Sequence, residues 1–150
     1  MTKLYFFYGA MNSGKTTTLL MIANDYERRN KKILIGKPNI DTKCGRFLQS
    51  RLNNNTFTRE VDFLIDNNFD FNNLKPSDVV MIDEAHFLNK KQVKNLARFV
   101  CEKSTPVICF GLKTDFRGEP FEGSSYLFAL ANRVEEIGVK AICSCGSIAN

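Results

Sequence analysis

Apolar positions follow two rhythms along the chain. Continuous apolar runs occur at Lys3-Leu4-Tyr5-Phe6-Phe7-Tyr8, Lys32-Ile33-Leu34-Ile35-Gly36-Lys37, Asp78-Val79-Val80-Met81-Ile82 and Thr105-Pro106-Val107-Ile108-Cys109-Phe110-Gly111. Short runs of this kind predict strands buried on both faces of a sheet. Between them the spacing becomes helical. Leu19, Leu20, Ile22, Ala23 and Tyr26 share one side of a segment from Lys15 to about Asn30, and Val93, Leu96, Ala97 and Val100 do so from a cap at Asn89 to about Lys103. Ser124 to Asn132 predicts a further helix, and Arg133 to Ile137 a last strand. Pro38 closes the second strand because it has no N–H for a ladder. Strand, helix and strand in alternation predict right-handed parallel units, hence an α/β fold with a mostly parallel sheet flanked by helices. Residues 39–77 fit neither rhythm. Asn53-Asn54-Asn55, Asn67-Asn68 and Asn72-Asn73 favour turns, Glu60 to Asp66 is expected to form one or two helical turns, and Pro76-Ser77 closes the region.

One junction carries a specific motif. Gly9-Ala10-Met11-Asn12-Ser13-Gly14-Lys15-Thr16 reads GxxxxGKT and lies between the first strand and the first helix, the context that a P-loop requires. Glycines let the backbone curl so that N–H groups converge on phosphate oxygens, and the helix N-terminus adds positive potential. Lys15 is placed to reach the β- and γ-phosphates, and the Thr16 hydroxyl to ligate Mg²⁺. ATP with Mg²⁺ is therefore the expected ligand.

The run Val79-Val80-Met81-Ile82 ends in Asp83-Glu84. A buried parallel strand delivers such carboxylates to the sheet edge where ligands bind. Asp83 fits the acid that holds the Mg²⁺ shell, and Glu84 can accept a proton from an attacking hydroxyl. The alternative for Glu84 is a solvated residue at a strand end. His86 is the only histidine. It reads as a polar rim residue, and its place beside the acids adds it to the nucleotide-binding candidates. Asp83-Glu84-Ala85-His86 also spells a DEAH box, so the rival reading is a nucleic-acid-dependent helicase-type ATPase. Such motors use two domains of this kind, and no Ser-Ala-Thr follows the box.

Bulk properties alter this picture little. The chain has 150 residues, enough for one domain, with 43% hydrophobic residues and thirteen Phe to fill a core. A net charge of +5 suits polyphosphate, and the basic residues are spread along the chain rather than gathered for nucleic acid, which is not expected as a partner. No apolar run approaches a membrane span and no cleavable signal is visible, so a cytoplasmic protein is expected. The five cysteines are then reduced thiols or metal ligands, with Cys101 and Cys109 read as core residues.

Taken together, the P-loop, Lys37-Pro38 with Asp41-Thr42, Asp83-Glu84-Ala85-His86-Phe87, Gly111-Leu112-Lys113-Thr114-Asp115-Phe116-Arg117-Gly118-Glu119-Pro120-Phe121 and Ala141-Ile142-Cys143-Ser144-Cys145-Gly146 resemble the type II thymidine kinases. The match is weakest between Gly45 and Pro76, and the Cys-x-Cys form is similar to bacteriophage members. The resemblance implies a RecA-like P-loop kinase domain over residues 1–138 and the start of a zinc-binding lasso subdomain over 139–150. It implies transfer of the ATP γ-phosphoryl to the 5′-hydroxyl of deoxythymidine for DNA-precursor salvage, with Glu84 as the general base. Met11, Phe87, Leu112, Phe116 and Phe121 match positions lining the thymidine pocket, where aromatic and thioether walls suit a flat pyrimidine. Their other reading is ordinary core packing. Arg51 would help to neutralise phosphate. A homotetramer is also implied.

Three departures stand out. The family usually has Gln at His86, often Arg at Lys43, and a wider pair at Cys143 and Cys145. Family members continue into a lasso and a second cysteine pair, so Cys143 and Cys145 form half of a zinc site. Weak zinc binding and weak thymidine turnover are expected on that ground.

Overall fold

A computed structural model of the chain describes residues 2–10, 14–39, 46–52 and 55–137. Their centre is a six-stranded sheet in the order β5-β2-β6-β7-β1-β8. The strands are β1 (Leu4–Gly9), β2 (Ile33–Pro38), β5 (Phe63–Ile65), β6 (Val79–Ile82), β7 (Val107–Leu112) and β8 (Arg133–Glu136). Every pairing in this sheet is parallel. All its strands therefore end at one edge, where ligands bind in such sheets.

Alternation along the strands sorts the core into two layers. Leu4 and Phe6, Val80 and Ile82, and Val107 and Cys109 face one side. They meet Val93, Leu96, Phe99 and Val100 of α2 (Lys90–Lys103) and Leu127 of α3 (Glu122–Leu130). Val79, Met81, Ile108 and Phe110 face the other side, against Leu19 and Ala23 of α1 (Lys15–Arg28). The Asn89 cap of α2 holds: its side chain accepts from the Gln92 N–H, and the Gln92 side chain accepts in return from the Asn89 N–H, both at 2.8 Å. Cys109 is fully buried in the core, and burial pushes its thiol pKa well up. Cys101 is a correction, because it is exposed near the end of α2, on the side of the helix away from Leu96 and Val100.

The segment 46–65 departs from the expected turns. β3 (Phe47–Leu52) and β4 (Asn55–Glu60) form an antiparallel hairpin outside the main sheet. Glu60 to Asp66 is not helical. Glu60 ends β4, and Val61, Phe63 and Ile65 are buried in the alternation of an extended chain. Asp62 fixes this register, its carboxylate accepting from the Ile35 N–H at 2.8 Å. The hairpin packs on α1: Leu48 and Val61 join the layer of Leu19, the Thr17 and Ser50 hydroxyls hydrogen-bond, and Arg59 makes a two-pronged contact with Glu27 at 2.7 and 2.9 Å. Residues 139–150, read from sequence as the start of a second subdomain, lie outside the described residues, as do Asp41, Thr42, Lys43 and Cys44.

Candidate functional site

The site assembles where β1, β6 and β7 end. Gly9 closes β1 and Gly14 caps α1 at φ 86°, a left-handed conformation that a glycine adopts without strain. Met11, Asn12 and Ser13 lie outside the described residues. Lys15 opens α1, and its Nζ donates to the Ala10 carbonyl at 2.8 Å. Burial pulls the Lys15 pKa below its ordinary value, against the opposing charges of Glu84 and Asp83.

Asp83 follows four fully buried residues of β6 and is itself buried. The Thr16 hydroxyl donates to Asp83 Oδ2 at 2.9 Å, and the Glu84 N–H to Asp83 Oδ1 at 2.9 Å. Burial raises the Asp83 pKa. The hydrogen bonds from Thr16 and the Glu84 backbone, then the charges of Lys15 and Lys37, oppose that rise. Two hard oxygen donors, one hydroxyl and one carboxylate, stand side by side at the end of the P-loop, a donor set that fits Mg²⁺. The Asp83–Thr16 contact joins the two strongest sequence motifs across 67 residues of chain.

Glu84 leaves the strand at φ 54°, an uncommon conformation for a residue with a side chain. Its side chain is 30% exposed, so it is neither buried in the core nor simply solvated. His86 is a correction to the rim reading: it is 2% exposed. Its ring packs against Phe87 and Phe121, with centroids at 4.2 and 4.6 Å, and its Nδ1 accepts from the Leu112 N–H at 3.0 Å. Aromatic contact and this backbone donor supply what an exposed imidazole would take from water.

Of the residues read as pocket lining, Phe87, Leu112 and Phe121 converge here. The rings of Phe87 and Phe121 meet edge-on at 5.8 Å, and Leu112 is tied to the same histidine. Phe116 does not join them. It is 93% exposed in a tight loop closed by Asp115, and the Arg117 guanidinium lies over its ring at 5.7 Å. The backbone of Arg51 pairs with Thr56 in the hairpin. Cys143 and Cys145 lie outside the described residues, within which no three or more His, Cys, Asp or Glu side chains gather into a group that could hold a metal. Among the described residues no helix is long and apolar enough to cross a membrane.

Sequence reasoning assigned no role to two neighbours of the site. Lys37 is 1% exposed at the end of β2, donates to the Phe47 carbonyl at 3.0 Å, and acts electrostatically on Asp83. A lysine closing an apolar run was the available signal. Ser50, which ties the hairpin to Thr17 of the first helical turn, left no comparable signal. A surface cavity of about 420 Å³ along α2 contains none of the predicted site residues, so chemistry rather than volume marks the site.

The GxxxxGKT motif between β1 and α1 and an acid-tipped strand on the same edge of a parallel sheet define the class as a P-loop α/β protein. Comparison with known proteins then narrows the class. The family model described as "Thymidine kinase" matches residues 2–150. The chain is 46% identical over 151 residues to a thymidine kinase of Chromobacterium violaceum, spanning 97% of this chain and 78% of that protein. It is 44% identical to one from Xanthomonas campestris pv. campestris (98% and 72%) and 45% identical to one from Lactococcus lactis subsp. lactis (95% and 76%). The chain belongs to the thymidine kinase family. None of these matches supports the DEAH-box motor reading.

Proposed function

We propose that this chain transfers the γ-phosphoryl group of ATP to the 5′-hydroxyl of deoxythymidine, a salvage route to DNA precursors. The observation that carries this reading is the meeting of Lys15, Thr16, Asp83 and Glu84 at one sheet edge, in a chain of the thymidine kinase family.

In this reading the P-loop from Gly9 to Thr16, Met11 to Ser13 included, cradles the triphosphate. Lys15 exchanges its contact with the Ala10 carbonyl for phosphate oxygens and neutralises charge there. Thr16 and Asp83 would hold Mg²⁺, which would supply positive charge beside the phosphates. Glu84 takes the proton of the attacking 5′-hydroxyl while that oxygen bonds to phosphorus. Phe87, Leu112 and Phe121, with Met11, face the pyrimidine, and Phe116 and Arg51 complete the acceptor side. His86 belongs to the same site through Glu84.

Residues 1–138 form the kinase domain, and 139–150 begin a zinc subdomain through Cys143 and Cys145. We place the enzyme in the cytoplasm as a homotetramer, with no membrane or nucleic-acid partner. The test is formation of thymidine monophosphate from thymidine and MgATP by purified protein. Turnover that depends on thymidine and is lost in Lys15→Ala supports the reading. ATP hydrolysis stimulated by single-stranded DNA or RNA but not by thymidine overturns it.

A further inference from the structure

We propose that His86 is a positioning residue that orients the Glu84 carboxylate, using the backbone of Leu112 as its fixed reference. This rests on the assignment of Glu84 as the general base. The imidazole is held from both ends. A backbone N–H can only donate, so Nδ1, which accepts from Leu112 at 3.0 Å, carries a lone pair. The neutral ring then bears its hydrogen on Nε2, and Nε2 lies 3.2 Å from Glu84 Oε2. The reference itself is anchored, because the Leu112 carbonyl accepts from the hydroxyl of Ser124, which is fully buried. Phe87 and Phe121 both pack against the ring and against each other. A rigid chain of contacts thus runs from α3 and the end of β7 to one oxygen of the base.

Glu84 has need of such a guide. Its backbone has left β6 at φ 54°, so no strand ladder directs its side chain. Catalysis by a positioned base depends steeply on geometry, and a displacement of about 1 Å can cost on the order of 100-fold in rate. A histidine serving the core alone would need its Nδ1 partner but would make no demand on the group facing Nε2.

Two substitutions separate these roles. In His86→Asn the amide oxygen stands where Nδ1 stood, keeping the Leu112 contact and removing the Nε2 group that faces Glu84 at 3.2 Å. In His86→Gln the amide nitrogen reaches the place of Nε2 and restores a donor there. Thymidine kinase activity, ATP affinity and thermal melting are measured for both variants, alone and combined with Glu84→Gln. His86→Asn is expected to lower kcat roughly 10- to 100-fold with KM for ATP changed by less than about twofold. His86→Gln, which regains the N–H facing Glu84 but lacks the acceptor for Leu112, recovers only part of the rate, and in the Glu84→Gln background His86→Asn causes no further loss.

Because the chain has a single histidine, ¹⁵N-labelled imidazole gives a second readout that needs no His86 variant to fold. The wild type should show the tautomer protonated at Nε2, with the Nε2 signal shifting in Glu84→Gln. Wild-type kcat in a folded His86→Asn, an equal loss in the Glu84→Gln background, or the Nδ1-protonated tautomer overturns the proposal. A wild type that binds MgATP without phosphorylating thymidine overturns the functional reading, and this inference with it.

Discussion

Asp83 is under two opposed demands. It must be ionised to hold a cation, yet the sheet buries it, and burial raises its pKa above the ordinary 3.8. Between 3.8 and that raised value the folded chain keeps a proton that the unfolded chain releases, so stability falls as pH rises through the window. Asp83→Asn has no proton to lose. Without metal or nucleotide it should melt at a higher temperature than wild type at pH 7, with the difference shrinking as the pH falls towards 4, while Mg²⁺-dependent turnover disappears. Equal melting curves at both pH values would show that Thr16, Lys15 and Lys37 already compensate the buried charge. Glu84 presents the complementary case. Its exposure and its offset from the strand keep it outside the core, as a general base would have to be. Glu84→Gln should keep nucleotide affinity and fold while losing on the order of 10²- to 10⁴-fold in turnover, read by steady-state kinetics.

Among the elements, the short turn Ala85–Phe87 decides where His86 and Phe87 stand, and α3 holds it down. A Cβ added at Gly123 would lie 2.5 Å from the Leu88 carbonyl oxygen, 2.7 Å from that of Ala85 and 2.9 Å from that of His86. These are backbone atoms and cannot turn aside. Gly123→Ala should therefore push α3 off the turn, costing roughly 1–3 kcal/mol of stability by denaturant titration and lowering kcat with it. A variant of unchanged stability would mean that α3 shifts freely over the turn. The β3–β4 hairpin is attached differently. Its bond to the first turn of α1 through Thr17 and Ser50, and its Lys37–Phe47 link, set it beside the P-loop without adding a strand to the sheet.

Across the whole molecule, a ligand held by the P-loop and the acid pair touches segments distant in sequence, so binding should stabilise the fold as a unit. At 100 times its dissociation constant MgATP adds about 2.7 kcal/mol, a rise of roughly 5–10 °C in Tm for a chain of this size. Lys15→Ala should abolish most of that rise in a thermal-shift measurement. A full shift in the variant would move the nucleotide away from the P-loop.

What the chain order alone determined was five of the six strands of the sheet and the junction where the GxxxxGKT turn meets the acid-tipped strand. Continuous apolar runs, helical spacing and the GxxxxGKT turn are local signals, and each is legible within a few residues because strand burial, helix amphipathicity and phosphate cradling are local physics. The α1, α2 and β6 segments appear where these signals place them, and Asp83 meets Thr16 as the motifs require. Three features were decided only by tertiary packing. The hairpin depends on the antiparallel match of Phe47–Leu52 with Asn55–Glu60 and on α1 beneath it, so its asparagines showed only a turn, and the buried alternation of Val61, Phe63 and Ile65 was too short to distinguish from a helix. Cys101 lies outside because the orientation of α2 on the sheet, rather than residue type, selects which of its positions are buried. His86 lies inside because Leu112 and Phe121, distant in sequence, supply its hydrogen bond and one of its ring contacts, and no local pattern encodes a partner that arrives from another strand.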